Sequence, residues 1–295
     1  MRLGVHLVGF GTPDGPAGIS SMLGRLGAAV EEAGVDNLSL MDHYLQLGML
    51  GGDRDPMLEG YTTLGFLAAH TRSVELQLLM TGVTYRHPGL LAKIVATLDV
   101  LSEGRAALGI GAAWYEREHL AYGVPFPPVK ERFELLEETL RIVRQMWSDD
   151  DGPFEGTHHR LTETICAPQP LHRVPVMVGG NGERKTLRLV AAYGDACNLI
   201  VGGDTAAEQV RHKLDVLRRH CADLGTDYDR IRHTVMLPRP LDPAHDADRF
   251  LEEMRELAAA GVDEVHVVPL GNAAADPVGF VRDLGRHVVS RLSLV

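Results

Sequence analysis

Residue types suited to chemistry fall just after four short apolar runs of this chain. The run 38–41 ends in Met41-Asp42-His43-Tyr44, where neighbouring carboxylate and imidazole groups offer a polar contact for a ligand ring and a proton-transfer group near neutral pH. The same dipeptide also punctuates strand ends by satisfying backbone groups. After the run 75–80 comes Thr81-Gly82-Val83-Thr84, in which Gly82 permits close backbone approach and the hydroxyls of Thr81 and Thr84 can bind polar ring edges. Thr-Gly is equally an ordinary turn. Arg86 reads either as a solvated charge or as an attractor for an acidic ligand tail.

The stretch Gly109-Ile110-Gly111-Ala112-Ala113-Trp114 closes another run with small residues that leave room for a flat ligand, and Trp114 is placed to line the pocket. Behind it a loop carrying Glu116, Glu118, His119, Tyr122 and Pro125-Phe126-Pro127-Pro128 is positioned to cover the ligand. The fourth site, Gly179-Gly180-Asn181-Gly182, lies at a strand-to-helix junction. Backbone amides facing outward there, at a helix N-terminus, suit a phosphate. Its spacing matches neither GxxxxGK[ST] nor GxGxxG, so the nucleoside-triphosphate and Rossmann readings lack their motifs. The alternative is a glycine-capped turn.

Other chemistries find little support. His158-His159 has no nearby carboxylate at metal-ligand spacing, so no metal is expected. No GxSxG elbow or readable Cys/His pair favours nucleophilic hydrolysis. Cys166, Cys197 and Cys221 are isolated thiols, which suggests neither a disulfide framework nor a zinc ribbon and points to a reducing, cytoplasmic setting. A net charge of -11 argues against nucleic acid or an anionic membrane as partner. No apolar run approaches the roughly 20 residues that span a bilayer.

Strand-like runs and helix-period segments alternate along the whole chain. Strands are expected at 3–8, 38–41, 75–80, 106–110, 174–178, 196–201, 233–237 and 264–268. Helices are expected at 20–33, 61–70, 88–101, 131–147, from near Glu183, at 205–224, at 247–260 and from near Pro277. Eight βα units without a linker favour a single α/β domain over 1–295, a (β/α)8 TIM barrel with insertions after strands 2 and 4, over an open doubly wound sheet. In such a barrel the loops after the strands form the functional face, where all four candidate stretches fall.

Together, Asp42-His43, the segment 109–115 with Glu118-His119, the loop 122–127, Glu131-Arg132 and 179–182 resemble the luciferase-like monooxygenase superfamily over nearly the whole chain. Within it the chain looks similar to the coenzyme F420-dependent oxidoreductases. The resemblance implies a barrel that binds a deazaflavin, with Asp42 at the ring's polar edge and His43 at its reactive face as the catalytic proton donor or orienter. It implies a non-prolyl cis peptide at Thr81-Gly82, Thr84 nearby, Gly111 and Ala112 beside the ring, and Gly179, Gly180, Asn181 and Gly182 around the phosphate. Tyr44 and Trp114 would line the substrate pocket. Around Trp114 and the loop after Tyr44 the chain departs from relatives acting on glucose 6-phosphate, which disfavours sugar-phosphate oxidation. The implied activity is hydride transfer between F420 and a small organic substrate, in a homodimer. An FMN-dependent monooxygenase and a cofactor-binding barrel without catalysis are the alternatives.

Overall fold

The computed structural model describes residues 1–294, with side chains described through residue 292. In chain order its elements are β1 (Arg2–Leu7), α1 (Pro16–Ala33), β2 (Asn37–Leu40), α2 (Gly60–Ala69), β3 (Glu75–Leu78), β4 (Thr81–Gly82), α3 (Pro88–Leu101), β5 (Leu108–Gly111), α4 (Glu116–Tyr122) and α5 (Val129–Met146). A hairpin of β6 (Phe154–Glu155) and β7 (Arg160–Leu161) follows. Then come β8 (Val176–Gly179), α6 (Thr186–Tyr193), β9 (Ala196–Ile200), α7 (Ala206–Leu224), β10 (Arg232–Leu237), α8 (Pro243–Ala259), β11 (Glu264–Val267), α9 (Asn272–Ala275) and α10 (Pro277–His287).

Nine of these strands form one parallel sheet in the order β3-β2-β1-β11-β10-β9-β8-β5-β4. Since β3 and β4 occupy one position, the sheet has the eight positions of a TIM barrel. A parallel bridge between Leu76 and Ala106 joins β3 to the segment entering β5 and closes the ring, with Leu76 N–H on the Arg105 carbonyl at 2.9 Å. Every strand tip therefore points its following loop to the same face.

Local sequence explains most boundaries. Pro16 and Pro88 sit in the first turns of α1 and α3, where a missing N–H costs nothing, and Gly34 ends α1 in the left-handed region at φ 70°. Glu59 caps α2 by accepting from the N–H groups of Tyr61 and Thr62. The structure moves several expected edges. α1 starts at Pro16 rather than 20, α8 at Pro243 rather than 247, and the helix expected near Glu183 starts only at Thr186. The segment expected as a plain loop behind Trp114 contains α4. The long connections 41–59 and 112–128 follow the second and fourth barrel positions.

The main core lies between helices and strands, where Leu3, Leu38, Leu64, Leu76, Leu91, Leu140 and Leu217 are buried. Each contributes about 2 kcal/mol by leaving water. The barrel interior is less uniform. Asn37, Gln77, Glu264 and His266 are all buried, and Gly4 leaves the space taken by the His266 ring. At the strand N-termini Arg2 and Arg232 flank Glu264 at 3.4 and 3.5 Å, and Arg232 binds Glu75 at 2.8 Å. One arc of the interior, β10-β11-β1-β2-β3, is thus built from polar residues in place of the branched apolar layers usual for this architecture.

Candidate active site

A cavity of about 730 Å³ opens where the strands end, a size that suits a small-molecule or cofactor site. Its wall includes Asp42, His43, Thr81, Gly82, Gly111, Ala112, Trp114, Gly179 and Gly180, so the structure gathers these expected site residues from four barrel positions. The rest of the lining is mostly apolar, with Leu47, Met49, Leu50, Phe126, Met236, Val268 and Leu270 among it.

Asp42 is held from inside the protein. Arg86 donates to both of its oxygens at 2.7 and 2.9 Å, and the Gly82 N–H donates at 2.9 Å. Arg86 also pairs with the α2 cap Glu59 and lies over the Tyr61 ring at 4.8 Å. Burial pushes the Asp42 carboxyl up, opposed by Arg86 and the Gly82 N–H. Arg86 is neither a solvated charge nor a free anion attractor. Gly82 has a second role, because a Cβ there would lie 2.6 Å from the Tyr85 ring.

His43 is oriented by Glu118, which α4 carries to it. Glu118 Oε1 lies 2.6 Å from His43 Nδ1 and accepts from the Tyr85 hydroxyl, while Oε2 accepts from the N–H groups of Tyr44 at 2.7 Å and Leu45 at 3.2 Å. Burial opposes the Glu118 charge, yet the bonds from His43, Tyr85 and Tyr44 outweigh it and hold the carboxyl below its ordinary value. An ionised, fully engaged carboxylate on Nδ1 fixes the proton there and leaves Nε2 as the working nitrogen of a cavity-lining imidazole. The edge of His43 meets Trp114 and Tyr115, with ring centres 5.6 and 5.7 Å away.

The small residues serve the protein before any ligand. A Cβ at Gly179 would lie 2.5 Å from Met80 Cγ, and one at Gly109 would lie 2.2 Å from the Leu78 carbonyl. Gly111 is roomier, with its nearest neighbour at 3.6 Å. Ala113 adopts φ 57°, an uncommon conformation for a residue with a side chain, and Arg132 pins it by donating to the carbonyls of Ala112 and Ala113 while lying over Phe126 at 4.2 Å. The non-prolyl cis peptide is present, but at Leu79–Met80, two bonds before the expected Thr81-Gly82.

Four expected residues lie outside the cavity wall. The Thr84 hydroxyl is taken by His119 Nε2 at 2.6 Å, and the Tyr44 ring packs edge-on against Tyr85 and Tyr122. The Asn181 side chain both donates to and accepts from the Ile200 backbone at 2.7 and 2.9 Å, and Gly182 packs beside Thr186. Gly180, with φ 122°, does face the cavity, whereas Arg184 and Lys185 line a separate cleft beside Glu134, Glu137 and Tyr193. The Thr81 hydroxyl meets Tyr61 Oη at 2.7 Å.

Sequence reasoning gave Glu118 only a place in the covering loop and missed the parts of Tyr85 and Arg132. The charged first turn of α4 and Gly123 at its left-handed cap were the available signal. Away from the cavity, His158 and His159 pair with Glu134 and Glu138 of α5 at 3.1 and 3.2 Å, carboxylates too distant in sequence for a spacing rule. Among the described residues no cluster has the make-up of a metal site. Nor is any described helix long and apolar enough to cross a membrane.

Known proteins share this architecture. An F420-dependent secondary alcohol dehydrogenase, solved in complex with an F420-acetone adduct, superposes with a TM-score of 0.80 over 97% of this chain and 98% of that one, at 16% identity. Sequence likeness is closer to two proteins named F420-dependent glucose-6-phosphate dehydrogenase. The Kineococcus radiotolerans protein is 31% identical over 228 residues, 76% of this chain and 65% of that protein. The Microbacterium testaceum protein is 33% identical over 161 residues, 54% of this chain and 47% of that protein. The chain thus spans about half to two thirds of these relatives' length. A family model described as luciferase-like monooxygenase matches residues 1–285, nearly the full barrel with every cavity-forming loop, and the chain belongs to that family.

Proposed function

We propose that this protein is an oxidoreductase that moves a hydride between coenzyme F420 and a small, neutral, largely apolar molecule. The observation that carries the reading is the Glu118-oriented imidazole of His43 in the wall of an apolar cavity at the strand C-termini. The kinship with proteins named as F420-dependent supports the choice of cofactor.

The residues present suit a deazaflavin. The arc of β4, β5 and β8 supplies Gly82, Gly111, Ala112 and the open backbone at Gly180 as a flat wall. Such a cofactor supplies a two-electron hydride acceptor or donor. His43 handles the accompanying proton. In oxidation, the substrate's C–H bond gives up a hydride and its O–H proton passes to His43 Nε2 as the C=O bond forms; reduction reverses each transfer. The carboxylate of Glu118 stabilises the imidazolium that appears. Asp42 and Arg86 keep the wall beside His43 rigid.

Arg132 is the single Lys or Arg among the described lining residues; its Nη1 donates to the Ala112 and Ala113 carbonyls, while its Nε has no protein partner. One guanidinium in an otherwise mostly apolar lining is a poor match for a phosphate ester, which argues against glucose 6-phosphate. The buried free thiols of Cys166, Cys197 and Cys221 fit a reducing, cytoplasmic setting. The exposed side chains of Leu90, Leu101, Ile165 and Leu171 support a homodimer, and a monomer by light scattering at micromolar concentration would reject it.

Equilibrium titration of the purified apoprotein with oxidised F420 and, in parallel, with FMN tests the cofactor. Saturable F420 binding with little FMN binding is expected. Preference for FMN moves the protein to the monooxygenase alternative, which the family description keeps open. Binding of neither overturns the cofactor assignment.

A further inference from the structure

A second imidazole faces the cavity from its floor. His6 lies near the end of β1, is 2% exposed, and lines the cavity. Its Nδ1 sits 3.0 Å from Ser39 Oγ on the neighbouring β2, and the Ser39 hydroxyl donates to the Val5 carbonyl at 3.4 Å. Both contacts are satisfied together only when Nδ1 carries the proton, because the serine hydrogen is then free for Val5. That leaves Nε2 as a lone-pair acceptor. It has no protein partner, yet it is absent from the buried atoms cut off from any partner, so it opens on the cavity.

His6 sits on a definite side. The arc β4-β5-β8 carries the small residues and the glycines assigned above to the cofactor, whereas His6 lies on the facing arc β10-β11-β1-β2. That arc also contributes the apolar Val8, Met41, Met236, Val268 and Leu270 and, after β2, Asp42 and His43. The other polar lining groups near that half are Asp42, held by Arg86 and Gly82, His43, held by Glu118, and Asn198 of β9, whose amide donates to Thr234, so the unpartnered Nε2 of His6 is a distinct acceptor among them. Burial, followed by the charges of His266 and His43, pulls the His6 imidazole down to about 3, so it is neutral at any working pH.

We propose that His6 is a specificity-determining residue: its Nε2 accepts a hydrogen bond from an O–H or N–H of the substrate that is distinct from the group whose proton passes to His43. The substrate class is then a compact, neutral, mostly apolar molecule with two polar functions, a reacting carbinol or carbonyl and a second hydrogen-bond donor that reaches the floor. This deepens the proposed oxidoreductase reading and rests on it. His6 itself takes no proton in the reaction. A ligand with an apolar group in that position leaves a buried acceptor unpaired and is disfavoured.

The test compares cyclohexane-1,2-diol with 2-methylcyclohexanol, which differ mainly by one donor. Binding to the F420-loaded protein is followed by the emission of Trp114, which lines the cavity, in a Trp147→Phe background. The diol is expected to bind about tenfold more tightly than the methyl compound. His6→Phe should abolish that preference, and His6→Gln, which keeps an acceptor, should retain part of it. Separate titration with F420 should give the same affinity in all three proteins, which also reports that the variants are folded. An unchanged preference in a folded His6→Phe protein, or failure of both probes to bind the parent, overturns the assignment of His6. Failure of the parent to bind F420 instead overturns the cofactor reading, and the probe pair measured on the apoprotein then decides the role of His6 on its own.

Discussion

Glu118 Oε1 and His43 Nδ1 lie 2.6 Å apart although 75 residues separate them in the chain. The contact joins the connection after β2 to the helix after β5, and the same carboxylate receives the Tyr44 and Leu45 N–H groups. One side chain therefore sets both the path of a loop and the protonation pattern of the imidazole within it.

Glu118→Gln removes the charge while keeping the shape. We expect kcat for substrate-dependent F420 turnover to fall about 10²-fold, within the range for a disturbed general acid or base, with F420 affinity changed less than about threefold. Circular dichroism and steady-state kinetics check this. Undiminished kcat in a folded variant would show that the carboxylate only holds the loop.

His43→Ala should lose about 10²- to 10⁴-fold in kcat and retain most F420 affinity. If turnover persists, His43 takes no part in proton transfer; if cofactor affinity collapses as well, its role is in binding. The parent and variant can be compared in one titration series followed by one kinetic series.

Arg86 and Asp42 form a pair whose side chains are 9% and 1% exposed. Arg86→Met strands a buried carboxylate and should cost about 3–5 kcal/mol in urea unfolding. Adding Asp42→Asn should recover part of that loss, since the stranded charge is gone. Equal stability of the single and double variants would contradict the pairing.

Stability should also decline in mild acid on account of His6. Its folded-state value of about 3 lies below the unfolded value near 6.5, so between those limits the unfolded chain holds the extra proton and acid favours unfolding. The contribution amounts to about 2 kcal/mol lost between pH 6.5 and 5. Urea midpoints at pH 7 and pH 5 should converge in His6→Phe relative to the parent. Identical shifts in both proteins would mean that His6 is not held neutral.

The barrel was readable because its signals are local and repeated. Apolar runs alternating with helix-period segments gave all eight strand positions, and Pro88 marked the first residue of α3. Where signals were short or ambiguous, the reading slipped: α4 spans only seven residues and is half polar, and aromatic and proline neighbours disguised it as a loop. At the site, Asp42 and His43 were found because they stand together at a strand end. Their partners Arg86 and Glu118 are 44 and 75 residues away, and only the closed ring brings them there. His6 carried no motif at all. An isolated histidine in an apolar strand looks the same in sequence whether it fills a core or floors a cavity.

Met80 leaves a record that homologous sequences can be asked to show. Its side chain occupies the space where position 179 would carry a Cβ, whereas position 109 is blocked by the Leu78 backbone carbonyl. Across an alignment, glycine at 109 should be nearly invariant, because no change of neighbouring side chain relieves the clash. Position 179 should instead co-vary with position 80: alanine or serine there is admissible only in sequences whose residue 80 is smaller. The two glycines look interchangeable in one sequence, but they answer to different constraints and should diverge at different rates.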